Sequence, residues 1–478
     1  MQRRLVILVL SLIVPAKADV EPHNAALRIF SKSRTTWIWN KPQKGRRQLG
    51  YLRPGGSAHL ASDAPVRVAD CPGGYYAIEP RGFVCLDATA TLDRRDLSAL
   101  RLVAPREGLL PYRYALSNGA PMYRRLPTRE EWQREERWMG PAGSFRPQYF
   151  GNRGHERLAE QRVESPDSPV PSFLGGGGAL GAQAKKLLAR EIPHGSLLSY
   201  TRAFAHEGRT FLLSVDGTAV PADRVRPYRS SSYQGVLLGA PVDLPIAFVR
   251  ARPRPRWIRH ADRLTKDDRD WPLRHAIALD DGEPVQQAGR RFFRTRERTL
   301  QGAELFIAEE DASIVRRRTR PPFASADREK WIEVSITRGT LVAYDGPRPV
   351  FATLISPGAG GVPMRGRDPV KWSTTPLGVY RIYFKHRTTT MSPDPEGNER
   401  TFWIADVPYT QYFNGPFALH VAYWHEDFGE PMSAGCINLS PKDGRWLFDW
   451  TLPQVPADWN GASSGGPNGL GTFVVVTR

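Results

Sequence analysis

The sequence predicts a mainly β protein with some α structure, divided into several small domains. Short β-type runs broken by Gly and Pro fill residues 35–91, apolar and polar residues alternate again after Lys330, and strong helix signals are confined to a few short stretches. At 478 residues the chain exceeds what one hydrophobic core usually serves, so two to four domains are expected.

The first element is an address rather than part of the fold. "MQRRLVILVLSLIVPAKADV" sets Arg3 and Arg4 before an apolar run over residues 5–14 and the small-x-small tripeptide Ala16, Lys17, Ala18. That is the layout of a secretory signal peptide over residues 1–18, cut before Asp19, the alternative being an uncleaved anchor. The run is too short to cross a bilayer as a helix, and no later stretch of roughly 20 apolar residues occurs. The expected location is the periplasm or cell envelope, with no integral membrane segment after cleavage.

Lys plus Arg number 67 against 49 Asp plus Glu, a formal charge of +18 that favours anionic partners. Nucleic acid is the usual partner of such a charge, but export argues against it. Cell-wall polymers or anionic envelope surfaces fit better, and a solvated, arginine-rich surface accounts for the same count.

Residues 19–97 form the first expected domain. Its runs "TTWIWN", "RQLGYLRPGGSAHL", "VRVADC", "YYAIEP" and "GFVCLDA" suggest a small, strongly bent barrel. Cys71 and Cys85, 14 residues apart with Gly73 and Gly74 between them, are expected to form a disulfide in an oxidising compartment. The pattern resembles a bacterial SH3-like domain. Its outline recurs in "EGRTFLLSVDGTAVPADRV" (207–225) and "AGRRFFRTRERTLQGAELF" (288–306), each with a Gly-Arg pair before an aromatic-led strand, so residues 191–325 are read as further SH3-like units.

Residues 98–190 read as a mixed connecting region. A helix begins at Thr128, with Glu130 and Glu131 in its first turn. Gly175 to Gly178, followed by the helix-forming "ALGAQAKKLLARE", suggest a flexible joint; no Gly-Lys-Ser/Thr follows to make a phosphate cradle. "RARPRPRW" (250–257) and "RRRTRPPFA" (316–324) read as extended basic linkers.

The last domain, residues 326–478, holds the third cysteine. "WIEVSI", "GTLVAYDGPRPVFATLISPG" and "GVYRIYF" are strand-like, Asp345-Gly346 supplies a hairpin turn, and "GTFVVVTR" closes the chain as a buried strand. Cys436 lies in "MSAGCINLS", and beyond it a helix starts. Ser440 suits the N-cap, Pro441 the first helical position, and Asp443 the third residue of a capping box; Trp446 and Trp450 share one face and pack inward.

Pairing Cys71 with Cys85 leaves Cys436 over, either a buried inert thiol or a nucleophile. A nucleophilic thiol needs a base and nearby positive dipoles. His420 stands 16 residues upstream in the strand-like "FALHVAYW", and the polar "HEDFGEPM" between them can fold back. Backbone N–H groups at Gly435 and Cys436 offer an oxyanion site. Spacing alone leaves open the reading of His420 as an ordinary structural histidine.

The stretch as a whole resembles the catalytic signature of L,D-transpeptidases of the YkuD type: His, about 15 residues, then Ser/Thr-x-Gly-Cys-hydrophobic-Arg/Asn. His420, Gly429, Ser433, Gly435, Cys436, Ile437 and Asn438 take its positions in order; "STTPLGVY" (373–380) and "LVAYDGPRPVFATLISPG" match further parts. The resemblance covers residues 330–478, about a third of the chain. It implies a β-sandwich or barrel domain with a Cys active site, and peptidoglycan stem peptides as donor and acceptor, with a wall-attached protein as another acceptor. In that reading Cys436 is the nucleophile, His420 the general base and acid, Ser433 an orienting residue, and Gly435 an oxyanion contributor; no metal or organic cofactor is required. One departure stands out. Many members carry His between Ser and Gly, where this chain has Ala434, leaving His420 as the expected imidazole and His425 in reserve.

Two rival readings remain at this level. A zinc hydrolase would draw on His420, His425, Glu426, Asp427 and Cys436, but no His-Glu-x-x-His is present. A non-catalytic wall-binding protein would keep the SH3-like units and a degenerate last domain, with Ala434 as its one supporting feature.

Overall fold

The computed structural model describes residues 27–96, 108–137, 139, 155–175, 186–192, 195–324, 328–391 and 403–478. The expected signal peptide and Gly176 to Gly178 lie outside them. The described chain is mostly β, as its alternating runs require.

Three β units precede the last domain. In the first, strand Thr36–Trp39 pairs with both Gln48–Leu52 and Phe83–Cys85, and Phe83–Cys85 pairs with Cys71–Ala77. Cys71 and Cys85 are joined, their Cα atoms 5.8 Å apart, and pack with Tyr75 in a small buried cluster. In the second, helix Arg129–Glu135 starts at Thr128, whose hydroxyl accepts from the Glu131 N–H while the Glu131 carboxylate accepts from the Thr128 N–H. The helix delivers buried Glu136 to two arginines: Arg209 donates to both carboxylate oxygens at 2.8 Å and Arg224 donates at 2.9 Å.

Two expectations fail here for tertiary reasons. Part of the supposed helix-forming stretch is a strand, Leu188–Glu191, because the strand Pro121–Tyr123 offers it a ladder. The supposed linker at 250–257 runs into a strand, Arg254–His260, which pairs with Arg263–Trp271 and with Glu304–Ala308. The recurrent sequence outline does have a structural counterpart. Strands Arg209–Ser214 and Arg290–Arg298 each follow a turn with two positive φ residues, Glu207-Gly208 and Ala288-Gly289, and each leads to a strand, a 3-10 turn and a last strand.

In the last domain, β1 (Lys330–Ser335), β2 (Thr340–Asp345), β3 (Arg348–Leu354), β4 (Gly378–Arg381) and β10 (Phe473–Thr477) form one sheet, in which β1 and β10 run parallel. β5 (Phe384–Met391), β6 (Ile404–Asn414), β7 (Phe417–Val421), β8 (Ile437–Leu439) and β9 (Gly461–Ser463) form the second. Ile332, Val334, Leu341 and Phe351 from the first sheet share a buried core with Leu419, Ile437 and Leu439 from the second, closed by Leu447 of helix α1 (Pro441–Trp450).

Helix α1 is fastened at both ends. Ser440 caps it by accepting from the Asp443 N–H at 3.1 Å, but the expected capping box is only half made. The Asp443 carboxylate instead accepts from the Gly235 N–H at 2.8 Å and the Thr353 hydroxyl at 2.6 Å. Gly444 allows the helix to lie against β7, since a Cβ there would come within 2.3 Å of Val421. At the far end, buried Lys385 donates to Phe448 O at 2.6 Å, Thr451 O at 2.9 Å and the Thr451 hydroxyl at 3.0 Å, so its amine caps the carbonyl end of the helix.

The first two units share a strand ladder and a buried core with this domain, and one carboxylate ties both to it. Asp406 of β6 accepts from Arg53 at 2.8 Å in the first unit and from the Ser199 hydroxyl in the second, while its carbonyl accepts from the Tyr114 hydroxyl at 2.9 Å. Both members of the Arg53–Asp406 pair are largely buried, with 13% and 9% of their side chains exposed. Removing one partner strands the other charge away from water. Asp406→Ala should therefore lower the unfolding free energy by about 3 kcal/mol in denaturant titration. Arg53→Met combined with Asp406→Leu should lose less than Asp406→Ala alone.

Candidate active site

β7 and β8 run parallel, with Leu419 opposite Ile437, His420 opposite Asn438 and Val421 opposite Leu439. Side chains alternate along each strand, and opposed residues share a face. Leu419, Ile437 and Leu439 therefore point into the core, and Ala418, His420, Cys436 and Asn438 share the opposite face. β6 and β5 extend this face, with Tyr412 opposite Ala418 and Phe384 opposite Tyr412. One row reads Phe384, Tyr412, Ala418, Cys436; the next reads His386, Thr410, His420, Asn438. Cys436 and His420 are thus diagonal neighbours, one strand and two residues apart, roughly 8 Å between Cα atoms from strand spacing and rise.

Hydrogen bonding assigns the protons. His420 Nδ1 lies 3.1 Å from Val421 O, a carbonyl that can only accept, so Nδ1 carries the hydrogen and Nε2 keeps its lone pair. Burial lowers the His420 pKa to about 4. Cys436 is half-buried at the mouth of β8, its thiol directed to Pro416 O at 3.8 Å. Its apolar surroundings push the thiol up to about 11, opposed by the Ala418 backbone N–H. The resting pair is therefore a neutral thiol and a neutral imidazole.

His425 is engaged elsewhere. Its Nδ1 accepts from the Asp427 N–H at 3.2 Å, which makes Nε2 the protonated nitrogen, and the Asn438 amide lies 2.9 Å from it. The near atom is the amide Nδ2 and the buried Oδ1 has no partner, so turning the Asn438 amide over would give this N–H its acceptor. Asp427 and Glu426 turn to arginines, Asp427 accepting from Arg157 at 2.7 Å and Glu426 lying 3.6 Å from Arg274. The five residues considered for zinc do not converge, and no group of three or more metal-ligating side chains occurs among the described residues.

The turn before Cys436 is held by Ser433. Its hydroxyl donates to Cys436 O at 2.5 Å and accepts from the Gly435 N–H at 3.0 Å, so it shapes the turn and makes no bond to His420. The Gly435 N–H is thereby already engaged, which leaves an oxyanion to compete with the Ser433 hydroxyl for it. Glycine is required for shape at this position: φ is +118°, and a Cβ would come within 2.6 Å of Phe417. Ala434 is exposed on the same turn.

The segment 356–375 makes the adjoining wall. Gly358 bridges to Ser433, the Ala359 N–H donates to Ser433 O at 2.8 Å, and the Thr375 hydroxyl accepts from the Gly358 N–H at 2.9 Å. Trp372, about half exposed, stands on this wall with the Arg367 guanidinium 3.9 Å above its ring.

Residues 329–476 match the family model of YkuD, the L,D-transpeptidase catalytic domain. The last third of the chain is a YkuD domain. Similar solved structures include an L,D-transpeptidase from Xylanimonas cellulosilytica, at 23% identity over 34% of this chain and 64% of the other, with TM-score 0.22. One from Stackebrandtia nassauensis is 24% identical over 32% of this chain and 57% of the other, TM-score 0.21. One from Mycobacterium smegmatis is 14% identical over 52% of this chain and all of the other, TM-score 0.24. The chain thus spans less than two thirds of the length of the first two. Comparison with curated protein sequences returns no match.

Within the YkuD domain, sequence reasoning passed over Tyr412. Its hydroxyl makes no protein hydrogen bond among the described residues, and its ring lies 5.5 Å from His386. Burial, with the Cys436 charge second, keeps the phenol protonated. The signal was available in the strand register, which puts Tyr412 level with Cys436 across the small Ala418.

The neutral resting pair has a measurable consequence. The rate of Cys436 alkylation by iodoacetamide should keep rising with pH beyond 9, following the growing thiolate fraction. A plateau reached below pH 7 would show a preformed thiolate–imidazolium pair.

Proposed function

We propose that the protein is an exported peptidoglycan L,D-transpeptidase, with Cys436 as nucleophile and His420 as its proton carrier. The observation that supports the proposal is the shared face of β7 and β8, on which His420 and half-buried Cys436 are diagonal neighbours inside a YkuD domain.

The chemistry follows from that pair. Cys436 Sγ attacks the carbonyl of the third residue, diaminopimelate, in a donor stem tetrapeptide. The thiol proton passes to His420 Nε2 as the C–S bond forms, because neither group is charged beforehand. Collapse breaks the C–N bond and expels D-alanine, whose amine takes the proton back from His420. An acceptor amine then attacks the thioester, loses a proton to Nε2, and the sulfur leaves and is reprotonated. Water in place of the amine gives trimming, and a wall-attached protein amine gives attachment. In this reading the Tyr412 O–H donates to the oxyanion of the tetrahedral intermediate, a donor beyond the turn amides.

Incubation of the mature chain with disaccharide tetrapeptides should give cross-linked dimers by mass spectrometry, with the products lost in Cys436→Ala. Tripeptide monomers alone would assign carboxypeptidase activity instead. No product, together with no carbapenem adduct on Cys436, would support the wall-binding alternative. Tyr412→Phe should lower the rate of dimer formation at least about tenfold if the oxyanion takes that hydrogen bond, with iodoacetamide alkylation unchanged.

A further inference from the structure

A cavity of about 780 Å³ opens between the third β unit, which runs from strand Ile246–Val249 to strand Ala312–Val315 and the residues after it, and the YkuD domain. Its walls carry both signs of charge, and the carboxylates are all matched. Glu309, Glu310 and Asp311 lie against Arg291, Arg290 and Arg254. Glu333 accepts from Arg318 at 2.7 Å, and Glu430 lies 3.3 Å from Arg250. Two lining arginines have no such partner. The Arg316 guanidinium, from the third unit, touches only the face of Phe293, 5.2 Å from the ring centre, and exposed Arg338 stands on the turn between β1 and β2. Neither makes an ion pair or a guanidinium hydrogen bond among the described residues. Arg254 adds a buried Nε with no partner. Exposed arginines without a protein ion pair therefore line the cavity from both units, and a ligand that supplies carboxylates could pair with them.

We propose that this cleft is a second binding site, for the carboxylate-bearing stem peptide of a peptidoglycan strand, separate from the thiol. A cavity of this size takes a few residues of peptide. Paired acids along its wall disfavour a dense polyphosphate and suit a ligand that itself mixes carboxylates with an amine. The cleft's β1 and β2 side chains, Glu333, Ser335 and Val342, lie on the outer face of the first sheet, across the sandwich from the Cys436 face of the second, and Arg250 donates to Thr337 O at 2.8 Å and holds Glu430 at its edge. The choice of ligand rests on the function proposed above.

The test uses the full chain with Cys436 capped by iodoacetamide, so that the thiol site is closed. Calorimetric titration with disaccharide tetrapeptide should show one site. Its affinity should fall at least about tenfold in Arg316→Gln with Arg338→Gln, and as much for peptide with amidated carboxylates, and it should weaken with salt. No binding to the capped protein, equal affinity in the double variant, or equal binding of the amidated peptide would overturn the proposal. Tighter binding of polyphosphate than of the peptide would overturn the choice of ligand. The uncapped double variant should still react with a carbapenem at the parent rate, showing an intact fold and thiol site. If the parent chain forms no cross-links while the capped chain binds peptide, the acyl-transfer reading fails and the cleft stands.

Discussion

The parallel pairing of β7 with β8 is the constraint on which the rest of the site depends. A slip of one residue would turn Cys436 into the core and bring Ile437 out. β8 is only three residues long, so its register has to be set from both ends. Upstream, Ser433 ties the turn to Cys436 O, and Gly435 supplies a backbone angle that other residues resist. Downstream, Ser440 starts α1 at once, and Gly444 lets that helix press on β7. On the free flank, Ser356 and Asn438 exchange backbone bonds at 3.0 and 2.9 Å.

Buried charge organises the assembly around this centre. Asp406 and Glu136 are each nearly removed from water and each is surrounded by several donors, whereas burial pushes the Lys385 amine well below the ordinary lysine range. Asp406 bonds the first two β units to the YkuD domain beside their shared core, and Lys385 holds the end of α1 over β5. Polar contacts of this kind demand particular geometry, whereas apolar contacts accept several packings. The third unit joins through a shared apolar core, Ile246, Phe248 and Val315 packing with Trp331, Val342 and Tyr344, beside which ion pairs ring a cavity.

Much of this was legible in the sequence. The alternating runs, the Thr128 and Ser440 caps and the Cys71–Cys85 pairing follow from local rules that the fold does not override. The motif around Cys436 also singled out Cys436 and His420, which the strand register sets on one face. What could not be read depended on contacts distant in sequence. Leu188–Glu191 is a strand because Pro121–Tyr123 lies beside it, and Arg254–His260 is a strand because Glu304–Ala308 does. Asp443 looked like half of a capping box, yet its carboxylate is drawn to Gly235 and Thr353. His425 looked available until Asn438 and the Asp427 amide were brought to it, and Tyr412 gained meaning only when the register set it level with Cys436.

The account turns on His420 offering an unprotonated Nε2 to a neutral thiol. Nitrogen-15 NMR of imidazole-labelled protein tests this directly, with His420→Gln to assign the resonance. The account predicts that at pH 7 His420 is the neutral tautomer with hydrogen on Nδ1, and that it protonates only near pH 4. A neutral ring with hydrogen on Nε2, or an imidazolium at pH 7, would contradict it.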